Sequence, residues 1–229
     1  MFDGILVVDK PQGMTSHDVV DFIRRRFNMA KVGHCGTLDP IATGVLVILL
    51  GDATKMASRY LNDDKKYLCT MKLGVSTDTQ DAEGKTISDR SIDGIMPEKI
   101  KKAVLSFKGE TQQIPPMISA KHYNGVRLYK LARQGIEVKR FPNKIHIYDI
   151  KILSIDIPLV EFVLESSKGT YIRTLCHDIG EKLGCGAHMH KLRRLASGSF
   201  KAEDAHTLEE LKTLNMSGLK NIIRNDNFK

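Results

Sequence analysis

The stretch from Lys31 to Gly44, Lys-Val-Gly-His-Cys-Gly-Thr-Leu-Asp-Pro-Ile-Ala-Thr-Gly, holds the chain's densest set of residues able to do chemistry. Glycines at 33, 36 and 44 together with Pro40 rule out a helix there, and small residues around Asp39 let a ligand approach the backbone closely. One carboxylate with no second acid nearby argues against the paired acids of a glycosidase. By residue chemistry alone, Asp39 is either a catalytic carboxylate held on a loop or the first residue of an Asp-Pro turn. His34-Cys35 does not read as a thiol nucleophile, because adjacent residues of an extended segment point apart. Cys176-His177 with Cys185, His188 and His190 lacks the paired ligand spacing of a zinc site, so these read as core thiols and surface histidines. No phosphate-binding loop or dinucleotide fingerprint occurs, and no nucleotide cofactor is implied.

Such a loop needs rigid neighbours. A strand over 4–8 and another over 44–50 bracket it, and between them Thr15 or Ser16 caps a helix whose Val19, Val20, Ile23 and Phe27 recur at helical spacing. Arg24, Arg25 and Arg26 cluster at that helix end, where cations suit the dipole and could equally meet RNA phosphates. A short helix is expected over 52–61. From 66 to 75 the pattern alternates, with Tyr67, Cys69, Met71 and Leu73 on one face, which predicts a half-buried strand. The segment 76–94, rich in Asp, Thr, Ser and Gly, reads as a loop, and Pro97 opens a helix through Ile100, Val104 and Phe107. Further elements are a helix over 126–134 stopped by Gly135, strands over 145–157 and 159–165, and a helix capped by Thr170. The buried stripe of that last helix is Ile172, Leu175, Ile179 and Leu183, and Gly184 ends it. Without a regular βαβ cadence, the class is α+β: a mixed, largely antiparallel sheet with flanking helices.

The 229 residues carry 35 Lys+Arg against 27 Asp+Glu, a net charge of +8, with 41% hydrophobic residues. That balance excludes disordered and fibrous classes and suits an anionic partner. The longest apolar run, Val45 to Leu50, is far short of a membrane span, and the N-terminus lacks the basic region of a signal peptide, so a cytoplasmic protein is expected. Four cysteines without a CxxC pair read as reduced thiols. Nothing in the sequence implies a protein partner, and monomer is the default.

Gly33-His34-Cys35-Gly36-Thr37-Leu38-Asp39-Pro40, followed by Ala42-Thr43-Gly44-Val45-Leu46, closely resembles the active-site signature of TruB-type tRNA pseudouridine synthases. The resemblance extends over roughly residues 1–200. Lys10-Pro11-Gln12-Gly13-Met14-Thr15-Ser16 resembles the family's N-terminal signature and Lys66-Tyr67 its strand motif. Pro115-Pro116, Ser119-Ala120, Gly125, Leu128-Tyr129 and Ala132-Arg133 resemble its RNA-contacting insertion, here near 110–142. Ser167-Lys168-Gly169-Thr170-Tyr171-Ile172-Arg173 and Leu192-Arg193-Arg194 complete the order.

The resemblance implies isomerisation of uridine-55 in the tRNA T-loop by breaking C1′–N1 and joining C1′ to C5, with no cofactor or metal. It makes Asp39 the nucleophilic or proton-handling carboxylate and Arg173 its partner. Tyr67 would stack on the target base, Tyr171 and Leu192 would line the uracil pocket, and His34 would fill the space of the flipped uridine. Lys10, Lys31, Arg24–Arg26, Lys121, Arg127, Arg193 and Arg194 are candidates for phosphate contacts. The implied layout is a catalytic domain over 1–205 and a short helix and tail over 206–229. Members of the family usually continue into a small PUA-type RNA-binding domain, for which the residues after about 206 leave no room. Cys35 stands where Thr or Ser is usual in the family. Two other readings are a tRNA folding helper, which opens and re-forms the T-loop, and, more weakly, a zinc-dependent nucleic-acid enzyme using Cys176, Cys185, His188 and His190.

Overall fold

The computed structural model describes residues 3–119 and 121–224; Ala120 of the insertion motif and residues 225–229 of the expected tail lie outside the described residues. The chain packs as two compact units, Met1–Leu68 with Leu192–Lys229, and Cys69–Lys191. Among the described residues no helix is long and apolar enough to cross a membrane.

The first unit opens with β1 (Gly4–Lys10), α1 (Ser16–Arg26), β2 (Val32–Cys35) and β3 (Thr43–Leu50). A 3₁₀ turn (Gly51–Met56), α2 (Ala57–Leu61) and the start of β4 (Lys65–Leu73) follow. The second unit holds β5 (Val75–Thr77), β6 (Thr86–Asp89), α3 (Pro97–Leu105), β7 (Gly109–Gln113), β8 (His122–Tyr123) and β9 (Val126–Arg127). It continues through α4 (Leu128–Arg133), β10 (Asn143–Asp156), β11 (Leu159–Ser166) and α5 (Ile172–Leu183). Strand β12 (Ala187–Ser197) leads back to the first unit, which ends with β13 (Phe200–Lys201), β14 (His206–Thr207), α6 (Leu208–Thr213) and α7 (Met216–Ile222).

In the first unit the strands neighbour one another in the order β14-β1-β3-β12. Strands β1 and β3 run antiparallel from Gly4↔Leu50 to Lys10↔Gly44. The other edge of β3 is divided: β2 covers Val47 to Leu50, and β12 lies parallel at Thr43 and Gly44. Ile5, Val7, Val45, Val47 and Leu49 point to one side and cluster with Cys35, Tyr60 and Phe200. Leu6, Val8, Leu46, Ile48 and Leu50 are equally buried. Burial on both faces is why 45–50 reads as an unbroken apolar run rather than an alternation.

The second unit orders its strands β4-β11-β10-β7, with β10 antiparallel to both neighbours. Tyr67, Cys69, Met71 and Leu73 are buried as the alternation of β4 requires. The fold is therefore α+β with largely antiparallel pairing, as expected.

Local expectations differ in four places. Segment 76–94 is not one loop, since β5 and β6 pair as a hairpin across it. The first half of 52–61 winds as the 3₁₀ turn. Val126 and Arg127 pair back onto His122 and Tyr123, so the helix there starts at Leu128. Thr170 does not cap α5: its hydroxyl donates to the Ser167 carbonyl at 2.9 Å, and Tyr171 holds the cap position.

Candidate active site

The Asp39 loop leaves β2 and re-enters at β3, and the N-terminal motif holds it from one side. Thr15 caps α1 in a reciprocal capping box with Asp18. That frees the next residue for another task. The buried Ser16 hydroxyl accepts from the Leu38 N–H at 2.8 Å and donates to the Leu38 carbonyl at 3.2 Å. Gly13, at φ +86°, donates its N–H to the Pro40 carbonyl at 2.8 Å. The Lys10 ammonium, fully buried, donates to the carbonyls of Pro11 at 2.8 Å, Met14 at 2.7 Å and Pro40 at 3.4 Å. Leu38 and Pro40 are thus fixed on both sides of Asp39. The Ala42 N–H closes an Asp-Pro turn on the Asp39 carbonyl at 3.0 Å, which is the turn reading of this residue. Its backbone makes the turn while its side chain stays half-buried at the loop tip.

From the other side the loop meets Arg194, only 1% exposed. Its Nε donates to the Val45 carbonyl at 2.6 Å and its Nη2 to the Gly36 carbonyl at 3.0 Å. Burial pushes this guanidinium's pKa down, opposed by Tyr67, whose phenol lies beside it, and by Asp39. Gly44, at φ +98°, is required where β3 passes β12, because a β-carbon there would run into the Arg194 carbonyl oxygen. Lys65 is a second buried cation, pushed down by burial and by Arg194. Burial raises the Cys35 thiol to about 11, which removes it as a nucleophile at neutral pH. Tyr67 and Leu192 are each 8% exposed, and His34 is half-buried on β2 opposite Ile48.

In the second unit Arg173 stands in the first turn of α5, 3% exposed rather than facing solvent. Its Nη1 donates to the Thr79 carbonyl and its Nη2 to the Ile118 carbonyl, each at 2.8 Å, and the Asp81 carboxylate lies 3.6 Å from Nη1. Tyr171, just before the helix, has its N–H and carbonyl bound by the buried Gln113 amide at 2.8 and 3.0 Å. Sequence reasoning missed Asp81 and Gln113. Asp81 sat in a segment read as loop, although its Thr-Asp-Thr-Gln-Asp context was a signal for an ordered turn.

Two phosphate candidates are corrected. Lys10 and Arg194 are buried and bound to backbone carbonyls, so neither head group reaches a surface phosphate. Arg24 and Arg26 also donate to carbonyls, of Val32 and of Lys212 and Leu214, while Arg25 and Arg26 are exposed at the helix end. Lys31 is exposed and paired with Asp52 at 2.9 Å. Arg193 grips Asp9 through both guanidinium nitrogens at 2.7 and 3.0 Å, on the wall of a cavity of about 530 Å³ lined also by Met14, Phe22 and Leu208. Lys121 is half-buried and Arg127 exposed. Cys176 lies 3.5 Å from Cys69, sulfur to sulfur, and His188 Nδ1 lies 2.8 Å from the Val75 carbonyl. Among the described residues no three His, Cys, Asp or Glu side chains gather as a metal site.

Residues 24–172 match the model of the TruB family pseudouridylate synthase (N terminal domain), and 173–224 that of the tRNA pseudouridylate synthase B C-terminal domain. The tRNA pseudouridine synthase B of Clostridium acetobutylicum is 51% identical over 98% of this chain and 76% of its own length. That of Syntrophotalea carbinolica is 50% identical over 93% of this chain and 69% of its own. Among solved structures, a chain of a Cbf5-Nop10-Gar1 complex superposes with TM-score 0.72 at 36% identity, over 91% of this chain. A chain of an H/ACA RNP bound to a substrate RNA containing 2′-deoxyuridine gives 0.70 at 31%, over 98%. The protein spans about half the length of those two solved chains. With the Asp39 loop, the family model and relatives at half identity in agreement, the chain belongs to the TruB family of pseudouridylate synthases.

Proposed function

We infer that the chain isomerises uridine-55 in the T-loop of tRNA to pseudouridine. The observation that carries this reading is a single carboxylate, Asp39, at the tip of a loop whose flanking residues are tied down by Lys10, Ser16 and Arg194. The glycosidic C1′–N1 bond breaks, C1′ bonds to C5 of the same uracil, and the C5 proton leaves as N1 gains one. The rearrangement has no net oxidation, so it asks of the protein a carboxylate and a shaped pocket.

The uridine must first swing out of the T-loop, at a cost of a few kcal/mol that protein contacts offset. His34 fills the vacated place. Tyr67 and Leu192 meet the flipped base, while Tyr171 and Arg173 of the second unit keep the uracil-lining and acid-partner roles that the family resemblance gives them. Lys31, Lys121, Arg127 and Arg193 supply phosphate contacts.

Tritium release from C5-labelled uridine in an unmodified tRNA transcript tests this reading. Release is expected from the wild type and not from Asp39→Asn, nor from a transcript lacking the T-loop uridine. Turnover by Asp39→Asn at the wild-type rate would remove Asp39 from the chemistry. Tight binding without release by the wild type would favour the folding-helper reading.

A further inference from the structure

Arg194 is among the largest fully buried side chains of the protein, and burial of a guanidinium is costly unless its N–H groups and its charge are met. Among its acceptors are two backbone carbonyls, Gly36 three residues before Asp39 and Val45 six residues after it. The Tyr67 phenol and the Asp39 carboxylate both act on its charge, against the effect of burial. Lys65, buried nearby, adds like-charge repulsion. A guanidinium enclosed this fully, away from any surface phosphate and spanning the carbonyls on both sides of Asp39, is placed to act on the loop that carries that carboxylate. The backbone shows the same arrangement: Arg194 pairs with Gly44 in parallel register, and only glycine allows that approach.

We propose that Arg194 is a positioning residue for the isomerisation, a fork that pins the two ends of the Asp39 loop to each other and so sets where the carboxylate stands. The inference rests on the function proposed above. A planar guanidinium spans both carbonyls in fixed geometry, whereas a lysine ammonium is a point donor on a flexible stem and holds one end at most. Displacing a reacting group by about 1 Å costs on the order of 100-fold in rate. Binding of the tRNA backbone does not depend on it.

The experiment compares wild type, Arg194→Lys and Arg194→Gln in single-turnover pseudouridine formation on an unmodified tRNA transcript. It adds the tRNA Kd at several salt concentrations and circular dichroism of each protein. Both variants are expected to lose rate about 100-fold, with Kd within about twofold and an unchanged salt slope. Arg194→Lys reacting within twofold of wild type overturns the proposal. So does a weaker Kd with a salt slope shallower by about one, the mark of a lost phosphate contact. Arg194→Lys keeps the charge and decides alone if Arg194→Gln does not fold; loss of folded signal in both makes Arg194 a stability residue and also overturns it. Wild-type protein that converts no uridine defeats the function reading instead, before any variant is compared.

Discussion

At the scale of single residues, the loop around Asp39 is a small hydrogen-bonded device whose parts come from three distant stretches of sequence. Ser16 illustrates how tightly it is specified. Removing its hydroxyl by Ser16→Ala leaves the buried Leu38 N–H and carbonyl without their partner, a loss of about 1–3 kcal/mol. Urea unfolding should show a lower midpoint with unchanged slope, and turnover should fall with it; an unaltered midpoint would mean that water replaces the hydroxyl. Asp81 sits beside the buried Arg173 at 3.6 Å. Asp81→Ala removes a carboxylate from beside that buried guanidinium, and a loss of roughly 3 kcal/mol is expected from breaking a buried pair, read from the same unfolding curve. Asp39, Tyr67 and Arg173 stand out in the sequence because their motifs do. The burial of Lys10 and Arg194 was not legible, since a basic residue in a basic chain reads as surface unless the carbonyls that receive it are known.

At the scale of elements, what the sequence showed and what it hid follow from how local each element's causes are. Helix α1 is written in its own residues: a Thr15 cap, an Asp18 return bond and an apolar stripe that ends at Phe27. Strand β4 alternates because one of its faces is buried. The β5–β6 hairpin hid because its Thr, Ser and Asp residues have turn composition, while its order comes from side-chain bonds such as Thr79 and Glu83 to Asp81. The start of α5 was misread because the Thr170 hydroxyl turns back to the Ser167 carbonyl, while Gln113, 58 residues away, holds Tyr171 at the cap position. The parallel contact of β3 with β12 was equally out of reach, as it pairs Arg193 with Thr43 and Arg194 with Gly44, from opposite ends of the sequence. Its consequence is testable: Gly44→Ala places a methyl against the Arg194 carbonyl at a positive φ, and a loss of several kcal/mol is expected. Thermal unfolding with a melting temperature near wild type would show that β12 shifts aside freely.

At the scale of the whole molecule, the charge of +8 sets how the protein meets a polyanion. Its affinity for tRNA should fall linearly with salt on a log-log plot. Removing an exposed charge, as in Arg127→Ala, should reduce that slope by about one, whereas Lys10→Ala should not, because its ammonium is spent on Pro11, Met14 and Pro40. Filter binding across a salt series decides between them. The same burial that governs the cations governs the sulfurs: Cys35, Cys69, Cys176 and Cys185 are all enclosed. The Cys35 thiol rises from 9.0 to about 11 because burial disfavours the thiolate. Its neutral form is therefore the one the fold favours, a contribution present below pH 9.0 and lost as pH rises through about 11. Alkylation of the folded protein should stay slow until that range, and fast labelling at pH 8 would show that the site opens. The protein thus brings its own silent background to thiol chemistry. A single cysteine placed at an exposed position such as Lys130 would take a maleimide dye alone, making the enzyme a ready-made optical probe of tRNA docking with every native cysteine left in place.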